Sequence, residues 1–79
     1  MIEIEDKFAN IMTNILGIHK LEVINSARLK EDLGLDSLDA VEMIMEVEKE
    51  FNIIISDEEA IESKRVEDII NLITIKKSI

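Results

Sequence analysis

Cysteine, proline, tryptophan and tyrosine are absent from the 79 residues, glycine occurs twice and histidine once. Without cysteine there is no disulfide, no thiolate for a metal and no thiol of the chain's own, so thiol chemistry requires a group supplied from outside. The redox compartment is left unconstrained. The absence of proline suits a mostly helical chain, because proline removes a backbone donor and breaks helix interiors. Aromatic content is limited to Phe8 and Phe51, which leaves a core of Ile, Leu, Val and Met that is compact but adaptable.

Long apolar runs are missing too. Nothing approaches the ~20 residues of a membrane-spanning helix, and Glu3, Glu5 and Asp6 stand where a secretion signal would carry basic residues. A soluble, unprocessed, cytoplasmic chain is expected. A chain this short forms one small domain, here residues 1–79, that hides only about 60% of its unfolded surface, and no deep enzyme cleft is expected from it.

Positive charge is the remaining scarcity. Nine Lys and Arg face eighteen Asp and Glu, for a net charge of −9, which repels nucleic-acid backbones and anionic membranes and favours basic protein partners. Solubility alone explains many acidic chains, so position has to decide. Between Glu31 and Glu62 there are twelve acids and one base, Lys49. Helix solvation does not require that bias, since interspersed lysines would give favourable i,i+4 pairs. The field therefore reads as steering toward basic docking sites.

Ile4, Phe8, Ile11, Met12, Ile15 and Leu16 recur at spacings of three and four, which predicts a helix from about Glu3 to Leu16, stopped at Gly17. Residues 18–36 hold no period and form a long connection anchored by Ile18, Leu21, Val23, Ile24, Leu29, Leu33 and Leu35. Loops of that length in compact domains are often functional. A second helix is predicted from Ser37 to Phe51, with Asp36 as N-cap and Asp39 near the first-turn amides. Ile53-Ile54-Ile55 suggests a strand, but no second strand exists to pair with it, so it reads as a buried connection. Ser56-Asp57-Glu58-Glu59 is a capping box opening a short third helix through about Ile61. A last helix from about Arg65 to Ile75 turns Val66, Ile69, Ile70 and Ile73 to one side, with Lys76 and Lys77 at its carboxyl end.

On the second helix, Ala40, Met43, Ile44, Val47 and Phe51 fall within one arc of about 100°, the width of a core-facing stripe. Leu38, Val41 and Met45 form a separate apolar arc. Burial under another helix or the loop would account for Leu38 as readily as exposure does. Val41 and Met45 read as partly exposed contact residues, flexible methionine suiting surfaces that receive several partners.

Ser37 begins this helix inside Gly34-Leu35-Asp36-Ser37-Leu38. A nucleophilic serine needs a base within reach and an oxyanion hole, yet the one histidine, His19, follows the first helix and no GxSxG elbow surrounds Ser37. Asp36 and Asp39 lack the companions of a cation site, with neither EF-hand spacing nor a His/Cys cluster, so no metal site is expected. Taken by spacing alone, Ser37 is an ordinary first-turn residue. A phosphate ester there would meet the positive end of the helix.

The run Glu31-Asp32-Leu33-Gly34-Leu35-Asp36-Ser37-Leu38-Asp39, followed by Val41-Glu42 and by Glu48 to Phe51, resembles the acyl carrier proteins over essentially the whole chain. That resemblance implies an all-α four-helix bundle with a short third helix and a long loop between helices 1 and 2. It implies 4'-phosphopantetheine carried on Ser37, taken from coenzyme A by a dedicated synthase, which would supply the missing thiol for thioesters of a growing acyl chain. Members of the family can shelter that chain between helices. It also implies docking of basic partner enzymes on Asp36, Asp39, Glu42, Met45 and Glu48, joined by Leu38 and Val41, with Ile55, Asp57, Glu58 and Glu59 extending the surface. Lys49 departs from the acid usual in the family, and Ser56 from a common proline. The expected function is that of a monomeric, non-catalytic carrier in fatty acid synthesis. The alternatives are a specialised carrier for polyketide, nonribosomal peptide or D-alanine transfer, an acidic interaction module without a prosthetic group, and a small hydrolase.

Overall fold

The structure, a computed structural model, describes residues 2–78. Four helices follow one another, α1 (Ile2–Leu16), α2 (Ser37–Phe51), α3 (Asp57–Glu62) and α4 (Val66–Lys77), with one 3-10 turn at Lys20–Glu22 in the first connection. α1 packs on both α2 and α4. The described residues form no strand, only an isolated antiparallel bridge between Arg28 and Arg65. The four-helix bundle, its short third helix and its long first loop are as expected.

The apolar stripes make the core. Phe8 and Met12 of α1, Met43, Val47 and Phe51 of α2, and Val66, Ile69, Ile70 and Ile73 of α4 are all buried, and no polar side chain joins them among the described residues. Ile4, Ile15, Leu16 and Ile44 pack around the edge. Because no buried polar side chain among the described residues needs a partner, the core side chains cohere by the hydrophobic effect and close packing.

Two glycines close backbone turns. Gly17, at φ +68, ends α1, its N–H donating to the Thr13 carbonyl at 3.0 Å. Gly34, at φ +75, lets the first connection swing into the N-cap of α2, and a Cβ there would meet no atom within 4 Å. Glycine is thus required by backbone conformation rather than by space.

The first connection is stitched down. Leu29 N–H donates to the Lys64 carbonyl at 2.8 Å, Val66 N–H to Ala27 at 3.0 Å and Glu67 N–H to Asn25 at 3.0 Å, while Arg65 Nη1 donates to the Ser26 carbonyl at 2.6 Å. Of its expected anchors, Leu29 and Leu35 are buried, and Ile18, Val23 and Leu33 are half-buried. Leu21 and Ile24 depart from expectation, being 81% and 55% exposed; the 3-10 turn rotates Leu21 outward, and Ala27 takes a buried place instead. The Ile53-Ile54-Ile55 run is likewise only partly a buried connection, since Ile54 is 82% exposed and Ile55 alone is buried. Residue Asn52 causes this by taking the left-handed conformation, φ 56, which turns the chain away from the helix axis.

Candidate functional site

Ser37 opens α2, and the reason the helix starts there is local. Asp36, extended at φ −94, ψ −175, caps the helix. Its Oδ1 accepts the Asp39 N–H at 2.8 Å, and Asp39 Oδ2 accepts the Asp36 N–H at 3.2 Å. Each side chain thereby satisfies an amide that the first helical turn leaves without an intrahelical partner. Ser37, between them, is exposed, and among the described residues its hydroxyl enters no hydrogen bond.

Ser37 stands at the rim of a cleft of about 960 Å³ bounded by the end of the first connection, α2 and α3. Leu35, Met43, Ile44 and Ile55 line its apolar side. The volume lies within the roughly 300–1,000 Å³ of small-molecule sites. Leu38, Val41 and Met45 are 75%, 56% and 60% exposed, so the second apolar arc of α2 is uncovered, Leu38 included. Ile61 of α3 adds a residue that the sequence reading did not single out, 68% exposed and on the cleft wall. Its signal was available, as the lone large apolar side chain of an acidic six-residue helix.

The acids divide by what they already hold. Asp36 and Asp39 cap each other, and Glu48 Oε2 accepts the Ile55 N–H at 2.8 Å. Glu59 accepts the Ser56 N–H at 2.9 Å and pairs with Lys76 of α4 at 3.1 Å. The Ser56 hydrogen bond, aided by Lys76, holds the Glu59 carboxyl below the usual carboxylate range. Arg28 does the same for Asp32, through hydrogen bonds from its guanidinium at 3.1 and 3.2 Å. Glu42, Asp57 and Glu58 enter no hydrogen bond or ion pair among the described residues. Ile55, expected on the docking surface, is only 6% exposed. It belongs to the core and the cleft wall rather than to the outer face, because its side chain turns inward after the Asn52 bend.

No group of three or more His, Asp or Glu among the described residues could hold a metal ion. His19 accepts the Leu21 N–H at 3.1 Å through Nδ1 and caps the 3-10 turn. No described helix is long and apolar enough to cross a membrane.

An exposed serine at a helix start, beside an apolar-walled cleft and an acidic face, is compatible with a carrier of a tethered group, and the comparisons give that class. Residues 6–73 match the family described as the phosphopantetheine attachment site. The fold is similar to the crystal structure of an acyl carrier protein from Thermotoga maritima, with a TM-score of 0.85 and 32% sequence identity over 96% of this chain and 88% of that one. This chain belongs to the phosphopantetheine attachment family, within it to the acyl carrier proteins. Its cofactor is covalent 4'-phosphopantetheine, whose terminal thiol supplies the thioester chemistry that a chain without cysteine lacks. The site suits such a group, presenting an unengaged primary hydroxyl next to a cleft with apolar lining. Acyl carrier proteins interact with the synthase that loads them and with biosynthetic enzymes.

Proposed function

We propose that Ser37 carries the 4'-phosphopantetheine and that this chain shuttles acyl groups as thioesters among the enzymes of fatty acid synthesis. Residues 1–79 act in this reading as one monomeric, cytoplasmic carrier domain with no catalysis of its own. The observation that carries it is the exposed Ser37 at the rim of the apolar-lined cleft. In loading, the Ser37 oxygen gives up its proton and bonds to phosphorus as the pyrophosphate link of coenzyme A breaks and 3',5'-ADP leaves. The helix start favours the resulting anion, whereas the capping carboxylates of Asp36 and Asp39 oppose it. Retention therefore rests on the covalent bond, leaving the arm free to swing between cleft and partner.

Docking falls on Leu38, Val41 and Met45 as apolar contacts, with Glu42 and Asp57 as unengaged rim charges that steer basic partners. Asp36, Asp39 and Glu48 keep their charge, each accepting one backbone N–H through a single oxygen. Glu58 and Glu59 extend the acidic rim along α3.

Intact-mass measurement after incubation with coenzyme A and a phosphopantetheinyl transferase tests the reading. The expected result is one added phosphopantetheine, lost in Ser37→Ala; no addition, or undiminished addition in the variant, overturns it. Acceptance of the loaded chain by fatty acid synthesis enzymes supports the pathway, and acceptance only by polyketide, peptide or D-alanine loading enzymes rules it out.

A further inference from the structure

Helix α3 forms one wall of the cleft, yet it has little to keep it there. It is six residues long with three acids in its first turn, and none of its residues is buried. Isolated helices shorter than about 12 residues are marginal in water, so α3 depends on Ala60 against the core and on ties within it and at its ends. In its first turn the Glu59–Lys76 pair at 3.1 Å ties it to α4, and beyond its far end the Leu29–Lys64 backbone bond at 2.8 Å fixes the chain that leaves it.

At the near end, one residue gathers the turn. The Glu48 carbonyl accepts both the Asn52 N–H and the Ile53 N–H, the latter at 3.2 Å. Its side chain then reaches forward seven residues to accept the Ile55 N–H at 2.8 Å, in a half-buried setting. Ile55 is the buried residue immediately before the Ser56 cap of α3. Three of the four amides between α2 and that cap thus end on Glu48. A carboxylate held this way is a tether as well as a surface charge.

We propose that Glu48 is a positioning residue that holds α3 against α2, setting the aperture of the cleft beside Ser37 through its acceptor oxygen rather than its negative charge. The proposal rests on the carrier reading only for its link to the acyl cargo. The tether itself is a property of the polypeptide. Losing it frees the approach to α3, so that Asp57, Ala60 and Ile61 move away from Val41 and Met45 and cargo in the cleft meets more water. Glutamine, which keeps an acceptor oxygen at the same reach, retains the tether, whereas alanine does not.

The test has two parts, each with Glu48→Ala, Glu48→Gln and, as a control that removes a charge from the same helix without a backbone bond, Glu42→Gln. Hydrogen exchange on the unmodified chain is expected to show the Ile55 amide exchanging about tenfold faster or more in Glu48→Ala, as loss of a charge-assisted hydrogen bond implies, with most protection kept in Glu48→Gln and all of it in Glu42→Gln. On chains loaded with an eight-carbon acyl thioester, cleavage by neutral hydroxylamine is expected to accelerate several-fold in Glu48→Ala, with Glu48→Gln restoring most of the protection. Unchanged Ile55 exchange in Glu48→Ala overturns the tether. Equal loss of protection in Glu48→Gln and Glu48→Ala overturns the claim that the acceptor, not the charge, is what matters. Unchanged thioester cleavage in Glu48→Ala overturns the link to the cleft. Failure of Ser37 to accept the arm would defeat the carrier reading and leave the exchange result standing.

Discussion

Asp36 and Asp39 cap each other across the first turn of α2, each accepting the other's backbone N–H, at 2.8 and 3.2 Å. The serine between them is thereby held at a fixed helix start without being touched by either carboxylate. Asp36→Ala and Asp39→Ala are each expected to lower unfolding free energy by about 1 kcal/mol. The double variant should lose less than the sum, because the two bonds close one ring. Urea denaturation of the three variants checks both the size and the non-additivity.

Gly34 delivers the chain to that cap at φ +75 with open space where a side chain would go. Gly34→Ala is therefore expected to destabilise by roughly 1–2 kcal/mol through backbone strain alone. The same substitution should leave the core unchanged, so the denaturant slope stays constant while the midpoint falls.

Charge reversal at the unengaged rim acids should act on rate rather than fold. Glu42→Lys and Asp57→Lys are expected to slow loading by the synthase most at low ionic strength, with the deficit shrinking as salt screens the field. Loading rates measured across a salt series, beside unfolding midpoints that hardly move, separate steering from damage. A deficit independent of salt would count against the docking role.

Acid should loosen α3 from α4. The folded Glu59 carboxyl lies below the usual range, so its contribution is fully present above the ordinary glutamate value of about 4.3 and is lost as pH falls through the depressed value. Asp32, lowered by Arg28, follows the same sign below the ordinary aspartate value of about 3.9. Stability should thus fall below about pH 4, and Glu59→Gln should flatten part of that fall. Denaturation midpoints at several pH values provide the comparison.

The helices were legible because their signals are local. Asp36 and Ser56 mark two helix starts as capping residues, and the stripes ending at Phe51 and Ile73 mark faces that bury as expected. Legibility failed where long-range pairing decides the outcome. Leu21 and Ile24 have the composition of anchors, but backbone bonds from residues 64–67 bring Ala27 inward instead, beside the expected Leu29. Ile54 follows a left-handed Asn52 that no periodicity announces. Similarly, a carboxylate such as Glu48 looks like any other member of an acidic face until the chain has turned back beneath it. For Ser37, helix position could be read from its neighbours, whereas the cleft beside it needed α3 in place.

The stitching of the first connection to residues 64–67 bears on when the protein becomes usable. A chain still emerging from the ribosome, extended only through α3, lacks the Lys64 carbonyl and the Val66 and Glu67 amides that hold Ala27, Leu29 and Asn25. The segment leading to Ser37 thus lacks these backbone partners until residues 64–67 have been made.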